Sequence, residues 1–394
     1  MNPLEDLATL KDEVLNPKQL QSAGLSDRMN AILEQQAELK QLKATEIQFS
    51  PPLLLRDEAS VIFPNTINAI QGQTGAHKSR FAERIVSAIL KRQNCDNELL
   101  GFERLDLLAR YHVLYVDTER NIKEQFPAAL QSMQVNAGYT KEADPMNFHF
   151  ISLLMTDRRE RFNTLNEYIT HLRTTVDAPL IVVLDVLSDC VQDFNKVDAS
   201  MEIIDMMGQM INNHDVTFLC ILHENPRSDK MRGHLGTELS NKSSTVMQVA
   251  FEKDAANDDT NIVKVKFIKC RSTKRHQLFY MKYCEQVHGL VIAEPNEVSE
   301  LFNSRKHKAA NEDIIDHLEM YLGDGCEMKR IDLLDKLCTD FQAKQRTIEA
   351  RIKEIMETEN GTISNAKGEP CNLQKVQRSK EVFYFLKPLE NEND

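Results

Sequence analysis

The residues Gly72, Gln73, Thr74, Gly75, Ala76, His77, Lys78 and Ser79 form a glycine-bearing loop that ends in a lysine and a hydroxyl. Backbone N–H groups of such a loop point inward around a phosphate, and the helix N-terminus that follows adds a favourable partial positive charge. Lys78 is placed to reach the β- and γ-phosphates of ATP, and Ser79 to give an oxygen to Mg²⁺. Arg80 completes the candidate nucleotide-binding run. His77 stands where such loops usually carry glycine. Its side chain crowds the turn, which forms if His77 takes right-handed helical angles; the alternative is a degenerate loop that holds nucleotide poorly.

Three apolar strands downstream end in groups that support phosphoryl chemistry. Val113–Thr118 leads into Glu119, the preferred candidate for orienting an attacking water, with Asp117 competing. Leu180–Leu184 ends in Asp185, placed to hold Mg²⁺ through water, with Ser188 and Asp189 following. Phe218–Leu222 ends in His223, a candidate γ-phosphate sensor, although a lone histidine at a strand end is as readily structural.

This series resembles the RecA-like P-loop ATPases, and within them the hexameric RepA and DnaB replicative helicases. The resemblance spans about residues 50 to 285 and is extended by Met231-Arg232-Gly233-His234-Leu235-Gly236, which is similar to the RG-containing loop of RepA-type proteins. It implies a homohexameric ring, ATP at the subunit interfaces and single-stranded DNA in the channel. Lys269-Cys270-Arg271 resembles the finger that DnaB-type rings insert into a neighbour's ATP site, with Arg232 as a second finger candidate. Ser272 and Thr273 follow it in place of the family's usual glycine. The finger lies in a stretch from Ile262 to Lys282 with seven Lys or Arg and no acid. Lysines that protect an edge strand are the competing account of that excess. DNA-contacting loops are expected after Asp185 and His223. The second, 225–242, carries Arg227, Lys230, Arg232, His234 and Lys242 and is expected to be flexible.

Alternating apolar strands and helices must position these groups, which points to a mostly parallel α/β sheet with helices on both faces. Strands are expected at 67–71, 112–117, 148–153, 180–186 and 216–223, then antiparallel strands at 245–252, 262–270 and 277–283. Helices are expected at 78–91, 161–175 and 201–213. The ATPase domain is set at 49–295, after a helical arm at 1–48 that packs on another surface or is simply solvated. A polar linker is expected at 296–310. A winged-helix-like α+β domain follows at 311–388, built from three helices and a hairpin, with a tail at 389–394. Its third helix carries Lys344, Arg346, Arg351 and Lys353 interrupted by Glu349, Glu354 and Glu357, so it docks on DNA or on replication or mobilisation proteins.

In 394 residues, 41% hydrophobic and 27% charged residues describe a folded protein rather than a disordered one. No apolar run approaches the roughly 18 residues of a membrane span. The N-terminus has no secretory pattern and the eight cysteines form no CxxC pair, so a cytoplasmic setting without membrane or zinc is expected. A net charge of −12 argues against coating duplex DNA and leaves room for a locally basic inner wall. The expected function is an ATP-dependent single-stranded DNA translocase of a plasmid or mobile element. The alternatives are a nucleotide-dependent scaffold that unwinds nothing, and a winged-helix regulator with weak ATPase.

Overall fold

In the computed structural model the described residues are 26–106, 109–226, 228–254, 258–271, 273–304, 309–357 and 363–389. They fall into two compact units divided after Ser50. In the first, Ser26 caps the helix Asp27–Leu42 by accepting the Met29 N–H, and no residue of that helix is buried.

The second unit is built on a sheet. Its strands in chain order are β1 (Leu54–Arg56), β2 (Ala59–Ile62), β3 (Ile67–Gly72), β4 (Phe102–Glu103), β5 (His112–Asp117), β6 (Phe148–Ser152), β7 (Leu180–Asp185), β8 (Val216–His223), β9 (Thr245–Lys253), β10 (Asp259–Cys270), β11 (Phe279–Cys284) and β12 (Gly289–Ile292). Among the described residues nine of them form one sheet in the order β12-β11-β10-β9-β3-β8-β7-β5-β6. The six from β9 to β6 are parallel, and β9 to β12 pair antiparallel. Strands β1, β2 and β4 make a small antiparallel sheet of their own.

Period-two alternation explains why both faces are covered. Val113, Tyr115, Ile181 and Val183 face a core made with the helices Lys78–Leu90 and Gln125–Asn136. Leu114, Val116, Val182 and Leu184 face a second core made with Arg161–Arg173, Val197–His214 and Gly233–Lys242. Each fully buried aliphatic side chain contributes about 1.5–3 kcal/mol, so strands buried on both sides read as continuous apolar runs. This is the mostly parallel α/β sheet with helices on both faces expected from the sequence.

Two expected irregular stretches are helical. The polar segment taken as a linker forms the helix Pro295–Ser304. Proline suits a first helical position, and Phe302 packs edge-on against Tyr280 with ring centroids 5.8 Å apart. Much of the loop expected after His223 is the helix Gly233–Lys242, because Leu235 and Leu239 share one buried face.

The C-terminal part runs helix Asn311–Leu322, β13 (Met328–Lys329), helices Arg330–Phe341 and Gln345–Glu357, then β14 (Ile363–Ser364), β15 (Pro370–Arg378) and β16 (Glu381–Pro388). Its sheet order is β13-β16-β15-β14, and Ile314, Leu318, Leu337, Ile348 and Ile352 fill its core.

The basic stretch has an explanation that neither expectation supplied. Strand β10 lies between β9 and β11 and is no edge. Lys264 and Lys266 reach Asp316 at 2.9 and 2.6 Å, and Lys266 and Arg275 each reach Glu319 at 3.0 Å. Lys282 binds Glu297 at 2.5 Å. With the exposed Lys274, 3.4 Å from Asp324, five of the seven cations therefore pair with acids, and Lys264, Lys266 and Arg275 fix the helix Asn311–Leu322 onto the sheet. Among the described residues no helix is long and apolar enough to cross a membrane.

Candidate active site

The strand register brings the chemical groups to one end of the sheet. Asp117 lies opposite Asp185, and Gly72 opposite His223, all at the C-terminal ends of parallel strands. Gly72 is required by close approach, since a Cβ there would collide with the carbonyl oxygen of Val249.

His77 adopts φ 61° and ψ 24°, the left-handed region, rather than the right-handed angles expected. Its imidazole turns out of the loop, stacked 5.9 Å from the Tyr283 ring and edge-on to Phe251 at 5.4 Å. Aromatic contacts of this kind are worth about 0.5–1.5 kcal/mol each, enough to offset the left-handed backbone. The Arg80 guanidinium lies over Tyr283, 4.9 Å from its centroid.

Lys78 opens the helix, is 5% exposed, and donates to the Gln73 carbonyl at 2.7 Å. Burial lowers its pKa, and Asp185, Glu224 and Glu119 oppose that shift. Ser79 Oγ donates to Asp185 Oδ1 at 2.9 Å. A hydroxyl beside a carboxylate is the oxygen donor set that a hard divalent cation takes, so Ser79 and Asp185 fit Mg²⁺. Around them the buried acids Glu83, Asp117 and Asp185 converge on one guanidinium, Arg120.

The two candidates for handling water separate clearly. Asp117 is fully buried; its Oδ1 accepts the N–H groups of Glu119 and Arg120, and its Oδ2 accepts Arg120 Nε. Glu119 is half-exposed, with His223 Nε2 3.8 Å from Oε1. The imidazole's proximity holds the Glu119 carboxyl below its ordinary range. His223 Nδ1 is buried and has no partner among the described residues. Glu119 is therefore the carboxylate free to meet a ligand.

Sequence reasoning missed the polar groups that hold this arrangement. Arg120 is one. Tyr115, whose hydroxyl donates to Asp185 Oδ2 at 2.8 Å, is another. Glu224 is a third, its Oε1 accepting Gln71 and Gln248 at 2.7 Å each. The signal for Tyr115 was its place two residues before Asp117, on the same strand face.

The remaining candidates do not join the pocket. Cys270 pairs with Thr245, and Thr245 with Asn68, at the start of β3. Lys269 and Arg271 thus lie about 13 Å or more from Gly72 along the sheet. Lys269 Nζ donates to the carbonyls of Ser240 and Asn241 at 2.7 and 2.9 Å, and Arg271 Nη2 to Asn241 at 2.7 Å. Arg232 packs over Phe194, 5.0 Å from the ring centroid, and caps the helix whose far end is Lys242. Lys230 is exposed on the short turn closed by pairing of Glu224 with Met231. Lys230 and Lys242 are thus separated by a helix about 15 Å long and do not share one loop. Arg227 and Ser272 lie outside the described residues.

No family model matches the chain, and no curated protein matches it. Solved structures do. The crystal structure of the RadB recombinase is 14% identical, with a TM-score of 0.38, covering 59% of this chain and 92% of that one. A KaiC-like protein from the hyperthermophilic archaeon Pyrococcus horikoshii OT3 is 14% identical, with a TM-score of 0.42, covering 59% and 91%.

Proposed function

We propose that the chain is an ATP-hydrolysing motor that works as a homo-oligomeric, RepA/DnaB-like ring on single-stranded DNA. One observation carries the reading. Lys78, Ser79, Glu119, Asp185 and His223 converge at the C-terminal edge of one parallel sheet, where α/β proteins take nucleotides. In this reading the backbone N–H groups of 73–79 cradle the phosphates. Lys78 leaves the Gln73 carbonyl for the phosphate oxygens. Glu119 orients and deprotonates the water, and His223 senses the γ-phosphate from the orphaned side of its pair with Glu119. Mg²⁺, held by Ser79 and Asp185, would neutralise charge on the transferring phosphoryl group. Lys269 and Arg271 are too distant for their own pocket, so a role as fingers requires a neighbouring copy.

The test is ATP turnover with and without single-stranded DNA. Lys78→Ala and Arg271→Ala should each lose activity, the second by roughly 10³-fold for a finger. Mixtures of the two should recover part of it, because one mutant supplies an intact pocket and the other an intact finger. No recovery would sink the ring assignment.

A second reading, a nucleotide-dependent scaffold that unwinds nothing, is favoured by one observation. Most of the basic stretch is ion-paired inside the chain, and the expected DNA loop is largely helix. ATP-dependent assembly without stimulation by DNA would select it.

A further inference from the structure

We propose that Arg120 is a positioning residue for Asp185, turning it so that Oδ1 alone faces Ser79 and a divalent cation. The inference rests on the nucleotide-site reading above.

Asp185 is 2% exposed, so the orientation of its carboxylate is set by the groups packed against it. Arg120 is the charged one. Its Nη2 lies 2.9 Å from Asp185 Oδ2 and 2.9 Å from the Tyr115 hydroxyl, which itself donates to Oδ2. With Oδ2 occupied twice, Asp185 has Oδ1 left, and that is the atom Ser79 touches.

The guanidinium is held as firmly as it holds. Nε binds Asp117 Oδ2 at 2.5 Å and Nη1 binds Glu83 Oε1 at 2.6 Å. One planar fork thus ties the ends of β5 and β7 to the phosphate-loop helix. Burial works against its charge, but Tyr115, Asp185, Glu83 and Asp117 outweigh that and raise its pKa. All three of its nitrogens are engaged, so Arg120 acts through Asp185 rather than on substrate. A lysine, a point charge without a fork, does not reproduce the geometry.

The experiment titrates a fluorescent ADP into the full chain in excess Mg²⁺ and again in EDTA, with folding monitored by circular dichroism. Three variants are compared. They are Arg120→Lys, Tyr115→Phe, and the double variant Arg120→Gln with Glu83→Gln, which removes one buried acid along with the cation. The wild type should bind more tightly with Mg²⁺. The variants of Arg120 should lose about 10- to 100-fold of that enhancement, with affinity in EDTA retained, and Tyr115→Phe should show a smaller loss of the same sign. Folded Arg120 variants that keep the wild-type ratio would make Arg120 a structural staple and overturn the proposal. Should both Arg120 variants unfold, Tyr115→Phe decides, an unchanged ratio counting against the proposal. A wild type that binds ADP equally with and without Mg²⁺ also overturns it, whereas one that binds no nucleotide overturns the pocket reading first.

Discussion

Replacing Asp316 should detach the C-terminal part from the sheet at a measurable cost. Asp316 sits between Lys264 and Lys266, at 2.9 and 2.6 Å, with its side chain 10% exposed. Burial pushes its carboxyl pKa up, and the two ammonium groups outweigh that, leaving it at about 2 against an ordinary 3.8. At about 1.4 kcal/mol per pKa unit, the charge on Asp316 supplies about 2 kcal/mol at neutral pH. Asp316→Asn should lose that amount. Asp316→Ala also leaves the lysines short of a partner and should lose about 3–5 kcal/mol. A depressed carboxyl pKa gives stability that is full above the unfolded value and is lost as pH falls through the folded one. The gap between wild type and Asp316→Asn should therefore narrow between pH 4 and pH 2. Urea unfolding followed by circular dichroism measures both. Asp324→Ala is the control, because Asp324 and Lys274 are 47% and 87% exposed. Such a pair is worth about 0–1 kcal/mol. Equal losses for Asp316→Ala and Asp324→Ala would refute the burial argument.

Three further outcomes are expected. His77→Gly relieves the left-handed backbone but loses the contacts with Tyr283 and Phe251, so Tm should move by no more than about 4 °C; a much larger fall would mean that the rings dominate. Glu119→Gln should keep nucleotide binding and slow hydrolysis about 10²–10⁴-fold, and unaltered single-turnover rates would hand the water to another group. Burial and Arg271 pull the Lys269 pKa down to about 8. Its charge is lost as pH rises through that value, so ATPase activity should fall between pH 7 and 9. Lys269→Met should flatten that limb, and an identical pH profile would remove Lys269 from turnover.

The legible parts of the sequence were those governed by short range. Strands 112–117 and 216–223 occur at their expected bounds because both faces are buried, which leaves an uninterrupted apolar run. The loop between β3 and the helix Lys78–Leu90 and the acids at the strand ends were placed for the same reason, each being a local motif on a recognisable strand. What escaped depended on distant residues. Nothing near Lys264 announces Asp316, 52 positions away, so a cation-rich stretch was taken for a surface. The angle of His77 depends on rings at 251 and 283. Arg120 escaped because its three acids come from separate elements, although its place directly after Glu119 was visible.

The internal pairing also changes how the two ends of the sheet are related. The Arg232 N–H donates to the His223 carbonyl at 2.8 Å, at the pocket end. Arg232 caps the helix Gly233–Lys242, and the last carbonyls of that helix hold Lys269 and Arg271 at the other end. Cations at a helix C-terminus meet the negative pole of its dipole, which lets two like charges sit together there. The helix is buried along Leu235 and Leu239, and the contacts that join its two ends are to backbone carbonyls, which side-chain substitutions within the helix leave in place.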